Sequence, residues 1–213
     1  MRQRKNFTRR EGDKSARLVV IAAEGRETEN IYFEAMKVSL CASKVHVEVL
    51  HRDSDQSSPE HVFDQIHQFM SEYNIEEDDQ LWVVVDKDRW KVKMLAEIAR
   101  YCAQNKNLSF CVSNPCFELW LLLHIEDIAT YSDEQMDALA KNKKTNGKTW
   151  LKQRMKDLTE HYQESSYDAM ALLQHVQSAI ERAERLDVKP NDRWPQKVGT
   201  RVYRLAKSII DKT

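Results

Sequence analysis

The segment that most constrains the fold is an uninterrupted apolar run that ends in two acidic residues. Residues 81–85 are large or β-branched with no polar residue among them, and Asp86 and Asp88 follow directly. A run of this length without alternation is typical of a strand that is covered on both faces, as in a parallel sheet. Ligands of open α/β sheets bind beyond the carboxyl ends of the strands, so this strand predicts two carboxylates at that edge.

Two interpretations of Asp86 and Asp88 are open at this point. Neighbouring carboxylates repel each other unless protons or a cation intervene, and a hard divalent cation with oxygen ligands would serve. Alternatively, the pair belongs to a solvated turn after the strand, because Asp is common in turns.

The first 125 residues alternate strand patterns with helical patterns. The predicted elements are strand 18–23, helix 29–38, strand 45–50, helix 59–73, strand 81–85, helix 91–105 and strand 108–113. This order favours a parallel sheet with right-handed crossovers. We therefore expect an α/β fold with a mainly parallel central sheet flanked by helices over residues 18–125. In the first helix, Ile31, Ala35 and Val38 fit an apolar stripe, with Tyr32 and Met36 beside it.

Two further acidic residues follow predicted strands. Glu24 comes directly after the first strand, and Gly25 behind it permits a tight turn that a Cβ would obstruct. Glu118 lies in the first turns of a strongly apolar helix after the Asn114–Pro115 turn. A carboxylate in apolar surroundings needs a partner, such as a metal ion, an Arg or backbone N–H groups.

In a parallel sheet, Glu24, Asp86 and Asp88 would converge at one edge, and Glu118 could join them. Clustered carboxylates without a Cys or His ligand set suit Mg²⁺ or Mn²⁺ rather than zinc. A metal ion held by carboxylates beside a basic surface suits phosphodiester chemistry. His124, at the end of the apolar helix, is either a structural residue near the helix dipole or a catalytic one.

Residues 126–213 form a helical C-terminal region by pattern, and we expect it to pack on the core. The predicted helices cover residues 133–140, 150–162, 167–186 and 200–211. The segment 141–148 between the first two holds Lys141, Lys143, Lys144 and Lys148. These lysines either contact a nucleic-acid backbone or belong to a solvated loop. The segment lacks aromatic residues, so base stacking is not indicated.

Charge and composition bound the remaining possibilities. Residues 1–17 predict a flexible basic arm that either solubilises the chain or touches a phosphate backbone. The formal net charge of −1 does not by itself indicate a polyanion partner. The four cysteines form no CxxC pair, which indicates reduced thiols in a cytoplasmic protein. No signal peptide or membrane-spanning run is expected.

Several segments resemble a known family. The Glu-Gly after the first strand and the Asp-x-Asp after a later strand resemble the Toprim catalytic fold of topoisomerases, primases and OLD-type nucleases. More closely, the chain resembles the RloB family of bacterial Toprim-like proteins, often associated with phage defence. The matching segments are EGRETENIYF (24–33), VVVDKDRW (83–90), SNPCFELWLLLH (113–124) and TRVYRLAK (200–207). They span almost the whole chain, and SNPCFELWLLLH is the long and specific one.

This resemblance implies a metal-dependent nuclease, a hydrolase that acts in antiviral defence by abortive infection. Similarity to the Toprim effector of the PARIS defence system implies tRNA or other RNA as substrate, with DNA also open. The resemblance makes Glu24 a general base or metal ligand, Asp86 and Asp88 ligands of Mg²⁺ or Mn²⁺, and Glu118 an additional catalytic carboxylate. Lys87 departs from the expected acidic or neutral middle residue, and its charge would lower metal affinity.

The predicted nucleic-acid contacts are Lys87, Lys141, Lys143, Lys144 and Lys148. Two alternatives to a self-sufficient nuclease stay open. One is a catalytically degenerate module that binds nucleic acid or senses a partner. The other is an effector that stays silent until an ATPase or another component of the defence system releases it. A homodimer is a candidate assembly, and no membrane partner is expected.

Overall fold

The computed structural model describes residues 4–9, 16–51, 58–159 and 162–210 of the chain. The elements of the core are β1 Arg17–Ala23, α1 Thr28–Ser39, β2 Val45–Leu50, α2 Pro59–Glu72, β3 Gln80–Asp86, α3 Val92–Ala103, β4 Leu108–Asn114 and α4 Glu118–Ile125. After a 3₁₀ turn at Ile128–Thr130, the elements are α5 Asp133–Lys141, β5 Lys144–Thr145, β6 Lys148–Thr149, α6 Trp150–Leu158, α7 Ala169–Leu173, α8 Val176–Leu186, β7 Gly199–Thr200 and α9 Val202–Ile210.

The central sheet has the strand order β2-β1-β3-β4-β7. The first four of these strands run parallel, and β7 pairs antiparallel with the end of β4. This confirms the predicted α/β fold with a mainly parallel sheet, flanking helices and a helical C-terminal region. Because β1 and β3 are neighbours in register, with Ala23 opposite Val84, their carboxyl ends meet at the same edge.

Apolar residues cover both faces of the sheet, which explains the uninterrupted runs in the sequence. Val19 and Ile21 face one cluster, with α1, α4 and the helices of the C-terminal region. Leu18 and Val20 face the other cluster, with α2 and α3. All four side chains are fully buried. Alternation disappears because neither face of the strand meets water.

The helix α4 is buried on every side, so its apolar sequence follows from its position. One side faces the sheet, and the helices α6, α7 and α8 pack around the remainder. The C-terminal region therefore lies directly on the core. Within the described residues, no helix combines the length and apolarity needed to cross a membrane.

The apolar side expected for α1 is right at Tyr32 and Met36 and wrong at Val38. The helix buries Tyr32, Phe33 and Met36, whereas Val38 is 79% exposed. The buried face keeps the helical spacing but lies one or two residues after Ile31 and Ala35, because the sheet and α4 contact that side. By contrast, α2 begins as predicted, with Ser58 as its cap and a proline at its first position.

Three predicted helices in the C-terminal region have different bounds in the structure. The one predicted at 150–162 ends at Leu158, and the one at 167–186 is interrupted between α7 and α8. The last helix begins at Val202 rather than at residue 200, because Thr200 belongs to β7 and pairs with Ser113 of β4. A two-residue strand carries too little sequence to produce a period-2 pattern.

The lysine-rich segment 141–148 is a hairpin rather than an open loop. Strands β5 and β6 pair antiparallel around Asn146 and Gly147, whose φ angles are 50° and 85°. Positive φ at both central residues is what a two-residue type I′ turn requires, and Asn-Gly is its preferred sequence. The hairpin was therefore readable from the sequence.

Residues 4–9 of the predicted flexible basic arm contact the core. The ring of Phe7 packs on those of Phe69 and Tyr73, with centroids 5.5 Å and 5.2 Å away. The Lys5 N–H donates to Glu72 O at 2.7 Å. The rest of the arm before Ala16 lies outside the described residues.

Asp79 joins the arm to the start of the sheet. It is 2% exposed, and its two carboxylate oxygens accept from Arg9 Nη2, both at 2.9 Å. The N–H groups of Leu18 and Glu76 also donate to this carboxylate, at 2.9 Å and 2.8 Å. A buried carboxylate with this many charged and backbone donors holds several segments together.

We expect Asp79→Ala to lower the free energy of unfolding by about 3 kcal/mol, because it leaves Arg9 and two backbone donors without their buried acceptor. The adjacent Asp78 is exposed, so Asp78→Ala should change stability by less than about 0.5 kcal/mol. Urea unfolding of both variants measures the difference. Equal losses in the two variants would contradict the assigned role of Asp79.

Candidate active site and metal centre

A cavity of about 680 Å³ opens where the carboxyl ends of β1 and β3 meet the start of α4. Seven carboxylates line it: the four predicted from the sequence, Glu24, Asp86, Asp88 and Glu118, and three that were not predicted, Glu27, Glu29 and Glu164. Its basic lining residues are Arg26, Arg89, Lys144 and Lys152. The parallel order of the strands thus brings the predicted acidic residues into one cavity.

Glu24 is held rigidly at the end of β1. Its Oε2 accepts from the Asp86 N–H at 3.1 Å and from Trp90 Nε1 at 2.9 Å. Arg89 Nη2 lies 3.9 Å from Oε1. The side chain is only 3% exposed, and burial raises its pKa while the Asp86, Trp90 and Arg89 contacts lower it. The result is a buried carboxyl of fixed orientation with a raised pKa.

Asp86 is surrounded by other carboxylates in the cavity. Burial raises the pKa of its carboxyl well above the usual value, and Glu29, Glu24 and Glu118 raise it further. Burial also raises the pKa of Asp88, although Arg89, with Nε at 3.5 Å from Oδ1, opposes this. Carboxylates arranged in this way are neutralised either by shared protons or by a bound cation.

The turn before α4 adds a sulfur atom to the carboxylate oxygens of the cavity. One atom each from Asp86, Cys116 and Glu118 lie within 4.8 Å of one another, and all three are buried. Burial raises the pKa of the Cys116 thiol, and Glu118 and Asp86 raise it further. Lys152 Nζ lies 3.6 Å from Glu118 Oε1.

This donor set fits a divalent cation, because two carboxylates would supply the charge that balances it. The sequence predicted a ligand set of carboxylates alone, and the geometry adds Cys116 to the candidate ligand atoms. Glu24 and Asp88 line the same cavity but lie outside the close group identified among the described residues. Their assignment as metal ligands stays a prediction.

Glu29 is the buried one of the acidic cavity residues that sequence reasoning missed. It is 5% exposed, and its Oε1 accepts from the Gly25 N–H at 2.9 Å. A Cβ at residue 25 would lie 1.5 Å from Glu29 Oε2, so this contact requires glycine. The position of Glu29 four residues before Phe33, on the buried face of α1, is the sequence feature that could have identified it.

The hairpin β5–β6 and α6 form the basic side of the cavity. Lys144 lines it from the hairpin and Lys152 from α6, where Lys152 Nζ also contacts Glu164 Oε2 at 2.5 Å. The other predicted nucleic-acid lysines do not line the cavity. Lys141 pairs with Asp137 at 2.5 Å, whereas Lys143 and Lys148 are exposed on the hairpin.

Lys87 points away from the carboxylates beside it in sequence. Its Nζ donates to Gln196 O at 3.4 Å, in the loop before β7. Burial lowers the pKa of its ammonium group. Because the Lys87 side chain points towards Gln196, its repulsion of a metal ion is weaker than expected from the sequence. The assignment of Lys87 as a nucleic-acid contact stays a prediction.

His124 lies in the apolar core rather than in the cavity lining. Its Nδ1 pairs with Trp120 O at 2.9 Å and its Nε2 with Tyr32 Oη at 3.0 Å, an arrangement that a neutral imidazole satisfies. Burial lowers its pKa to about 4. These contacts favour the structural interpretation of His124 over the catalytic one.

The fold and the cavity together define an α/β protein with a carboxylate cluster at the carboxyl edge of a parallel sheet. A family model described as RloB-like protein matches residues 19–209, so the chain belongs to the RloB-like family. Neither the curated proteins nor the solved structures contain a match to this chain.

The charge on Glu29 gives a pH-dependent prediction. Burial, followed by Glu118 and Glu24, raises its pKa from 4.5 to about 7. The folded protein therefore binds this proton more strongly than the unfolded chain. The free energy of unfolding consequently falls as the pH rises between these two pKa values. In metal-free buffer, Glu29→Gln should raise the free energy of unfolding by about 2 kcal/mol at pH 8.

At pH 4.5 or below, the same substitution should change stability little, because Glu29 is already protonated in the folded state. Gln keeps the acceptor for Gly25, and the exposed Glu27→Gln serves as the matched control. Urea unfolding with EDTA at the two pH values provides the measurement. An equal effect at both would show that charge repulsion at Glu29 is absent.

Proposed function

We propose that this RloB-like protein is a metal-dependent nuclease that hydrolyses phosphodiester bonds in tRNA, other RNA or DNA. The observation that carries the proposal is the combination of seven carboxylates and four cationic side chains around one cavity. Carboxylates suit a divalent cation, and cations suit the phosphate groups of a nucleic acid. Few other substrates require both at one site.

Asp86 and Glu118 would hold the cation, which we infer to be Mg²⁺ or Mn²⁺, with Glu24 and Asp88 beside them. A cation in this position supplies Lewis-acid charge to the scissile phosphate. The carboxylates themselves carry the ion and fix where the phosphate binds. Asp86 at the end of β3 and Glu118 at the start of α4 both belong to regular elements, which keeps that geometry constant.

Glu24 is the residue best placed to accept a proton from an attacking water molecule. Two N–H donors, from Asp86 and Trp90, fix the direction of its carboxyl group. Its raised pKa brings it closer to neutral pH, where a general base is most effective. Arg89, 3.9 Å from Glu24, could then stabilise charge that develops on the phosphate.

The hairpin β5–β6 would guide the substrate backbone towards the carboxylates. Lys144 lines the cavity, and Lys143 and Lys148 are exposed on the same hairpin. Lysines act on phosphates as point charges, so this contact would not select a base sequence. Lys87 and Lys141 would extend the basic surface outside the cavity.

The biological role in this proposal is that of an effector in antiphage defence, acting by abortive infection in the cytoplasm. Membership of the RloB-like family supports the defence theme. An ATPase or another component of the defence system would control the activity, and a homodimer is a candidate form of the effector. These points define what must be co-expressed in a test.

A second candidate function is a degenerate module that binds nucleic acid or senses a partner without cleaving. The ion pairs of the cavity favour it, because Lys152 lies 3.6 Å from Glu118 and Arg89 lies 3.9 Å from Glu24. Internal cations of this kind can replace a metal ion in balancing buried carboxylates. Nucleic-acid binding by such a module would depend strongly on salt and would be indifferent to EDTA.

Cleavage assays separate these functions. Purified protein, alone and with its co-expressed defence partners, would be incubated with labelled tRNA, single-stranded RNA and single- and double-stranded DNA, with Mg²⁺, Mn²⁺ or EDTA. We expect Asp86→Asn and Glu24→Gln each to lower the cleavage rate by at least about 100-fold, because they remove a metal ligand and a base.

The control is Glu97→Gln, which replaces an exposed carboxylate on α3 and should retain the rate within about twofold. Cleavage that survives both active-site substitutions would rule out this site as its source. Absence of cleavage for every substrate and partner, combined with EDTA-insensitive binding, would establish the degenerate module instead.

A further inference from the structure

We propose that Cys116 is itself a ligand of the bound cation, so that the site prefers a first-row transition ion, from Mn²⁺ to Zn²⁺, over Mg²⁺. This inference rests on the metal site of the proposed function but not on catalysis. It goes beyond the carboxylate set expected for a Mg²⁺ site. It also names a chemical property of this chain that can be measured without a substrate.

The position of the sulfur atom carries the inference. Cys116 Sγ and one carboxylate oxygen each from Asp86 and Glu118 lie within 4.8 Å of one another. Ligand atoms around one transition ion are separated by at most about 4.6 Å, twice a metal–sulfur distance of about 2.3 Å. Small side-chain rotations therefore bring all three onto one ion.

The backbone holds Cys116 against the acidic loop. Pro115 O, immediately before Cys116, accepts from the N–H groups of Lys87 and Asp88, both at 3.2 Å. These bonds attach the turn before α4 to the segment that follows Asp86. The sulfur and the Asp86 carboxylate are therefore fixed by neighbouring, hydrogen-bonded pieces of backbone rather than by mobile loops.

A residue outside this group orients the sulfur atom. Asn142 Nδ2 donates to Cys116 Sγ at 3.3 Å, and Asn142 Oδ1 accepts from the Leu151 N–H at 3.0 Å. Asn142 is buried and adopts a φ of 39°, the left-handed conformation that asparagine tolerates. Outer hydrogen bonds of this type orient metal ligands and stabilise their charge.

The other cysteines lack these surroundings in the described part of the chain. Cys102 and Cys111 are buried among apolar residues, and neither belongs to a group with metal-ligand spacing. Cys41 is partly exposed, and its Sγ donates to Val45 O at 3.0 Å. A thiol placed between two buried carboxylates is thus specific to residue 116.

The chemistry of sulfur explains the expected preference. Thiolate is a soft ligand that binds transition ions well and Mg²⁺ poorly, whereas carboxylates accept both. On ligation, the Cys116 thiol releases its proton to solvent, as metal-bound cysteines do. The mixed set of one sulfur and two oxygens therefore separates transition ions from Mg²⁺.

Cobalt provides a direct optical test on the full chain, because a thiolate bound to Co²⁺ produces a charge-transfer absorption band in the near ultraviolet. The EDTA-treated and dialysed protein should develop this band on titration with Co²⁺. Cys116→Ser should abolish the band and weaken Co²⁺ binding at least about 10-fold, while Mg²⁺ affinity changes by less than about threefold.

The matched control is Cys41→Ser, which should keep the band. A band that persists in folded Cys116→Ser, or saturating Co²⁺ binding to the wild type without any band, would overturn the inference. Circular dichroism and urea unfolding establish that the variants are folded.

A measurement on the wild type avoids dependence on the variant. Zn²⁺ should slow iodoacetamide alkylation of Cys116 at least about 10-fold, as read by peptide mass spectrometry, because a metal-bound sulfur is not a free nucleophile. Mg²⁺ should not slow it, and Cys41 should be unaffected by either ion. Equal protection of Cys116 by Zn²⁺ and Mg²⁺, or none by Zn²⁺, would contradict the proposal.

These results are distinguishable from failure of the proposed function. A thiolate band and Zn²⁺ protection without cleavage of any nucleic acid would support the ligand role of Cys116 and reject the nuclease. Mg²⁺-dependent cleavage without either signal would support the nuclease and reject the ligand role.

Discussion

The hydrogen bond from the Asp86 N–H to Glu24 Oε2 joins the ends of two adjacent parallel strands and fixes the buried Glu24 carboxylate beside Asp86. Parallel pairing of β1 with β3 determines this arrangement, because it places the carboxyl ends of both strands at one edge. Burial of both sheet faces makes that edge rigid. The cavity, its electrostatics and its proposed chemistry all depend on this pairing.

Mutual repulsion of the carboxylates is a cost that the fold retains. Burial and neighbouring acids raise the pKa values of Glu24, Glu29 and Asp86 together. A protein selected for stability alone would replace such a group with apolar residues. Retention of the cluster is consistent with a functional site, where perturbed pKa values commonly concentrate.

The C-terminal region completes the site rather than only covering the core. Lys152 approaches Glu118 from α6, and Asn142 contacts Cys116 from the base of the hairpin. The tight packing of α4 against the sheet and the surrounding helices holds these contacts in place. The core and the C-terminal region thus both contribute charged residues to the cavity.

The strand-and-helix order and the grouping of Glu24, Asp86, Asp88 and Glu118 were predictable, because buried parallel strands have a strong local signature. Glu29 and Cys116 were not found, since their roles depend on which helix face and which turn meet the sheet edge. The pairing of β7 with β4 was not predicted, because a strand of two residues shows no periodicity. The hairpin β5–β6 was predictable, because the dipeptide Asn-Gly is typical of its turn.

We propose that the carboxylates at the ends of β1 and β3 and the start of α4 form one divalent-cation site. Anomalous X-ray scattering from a crystal soaked in Mn²⁺ tests it most directly. We expect an anomalous peak in contact with Asp86 and Glu118. A fully soaked crystal with no peak in the cavity, and with Lys152 still paired to Glu118, would contradict it.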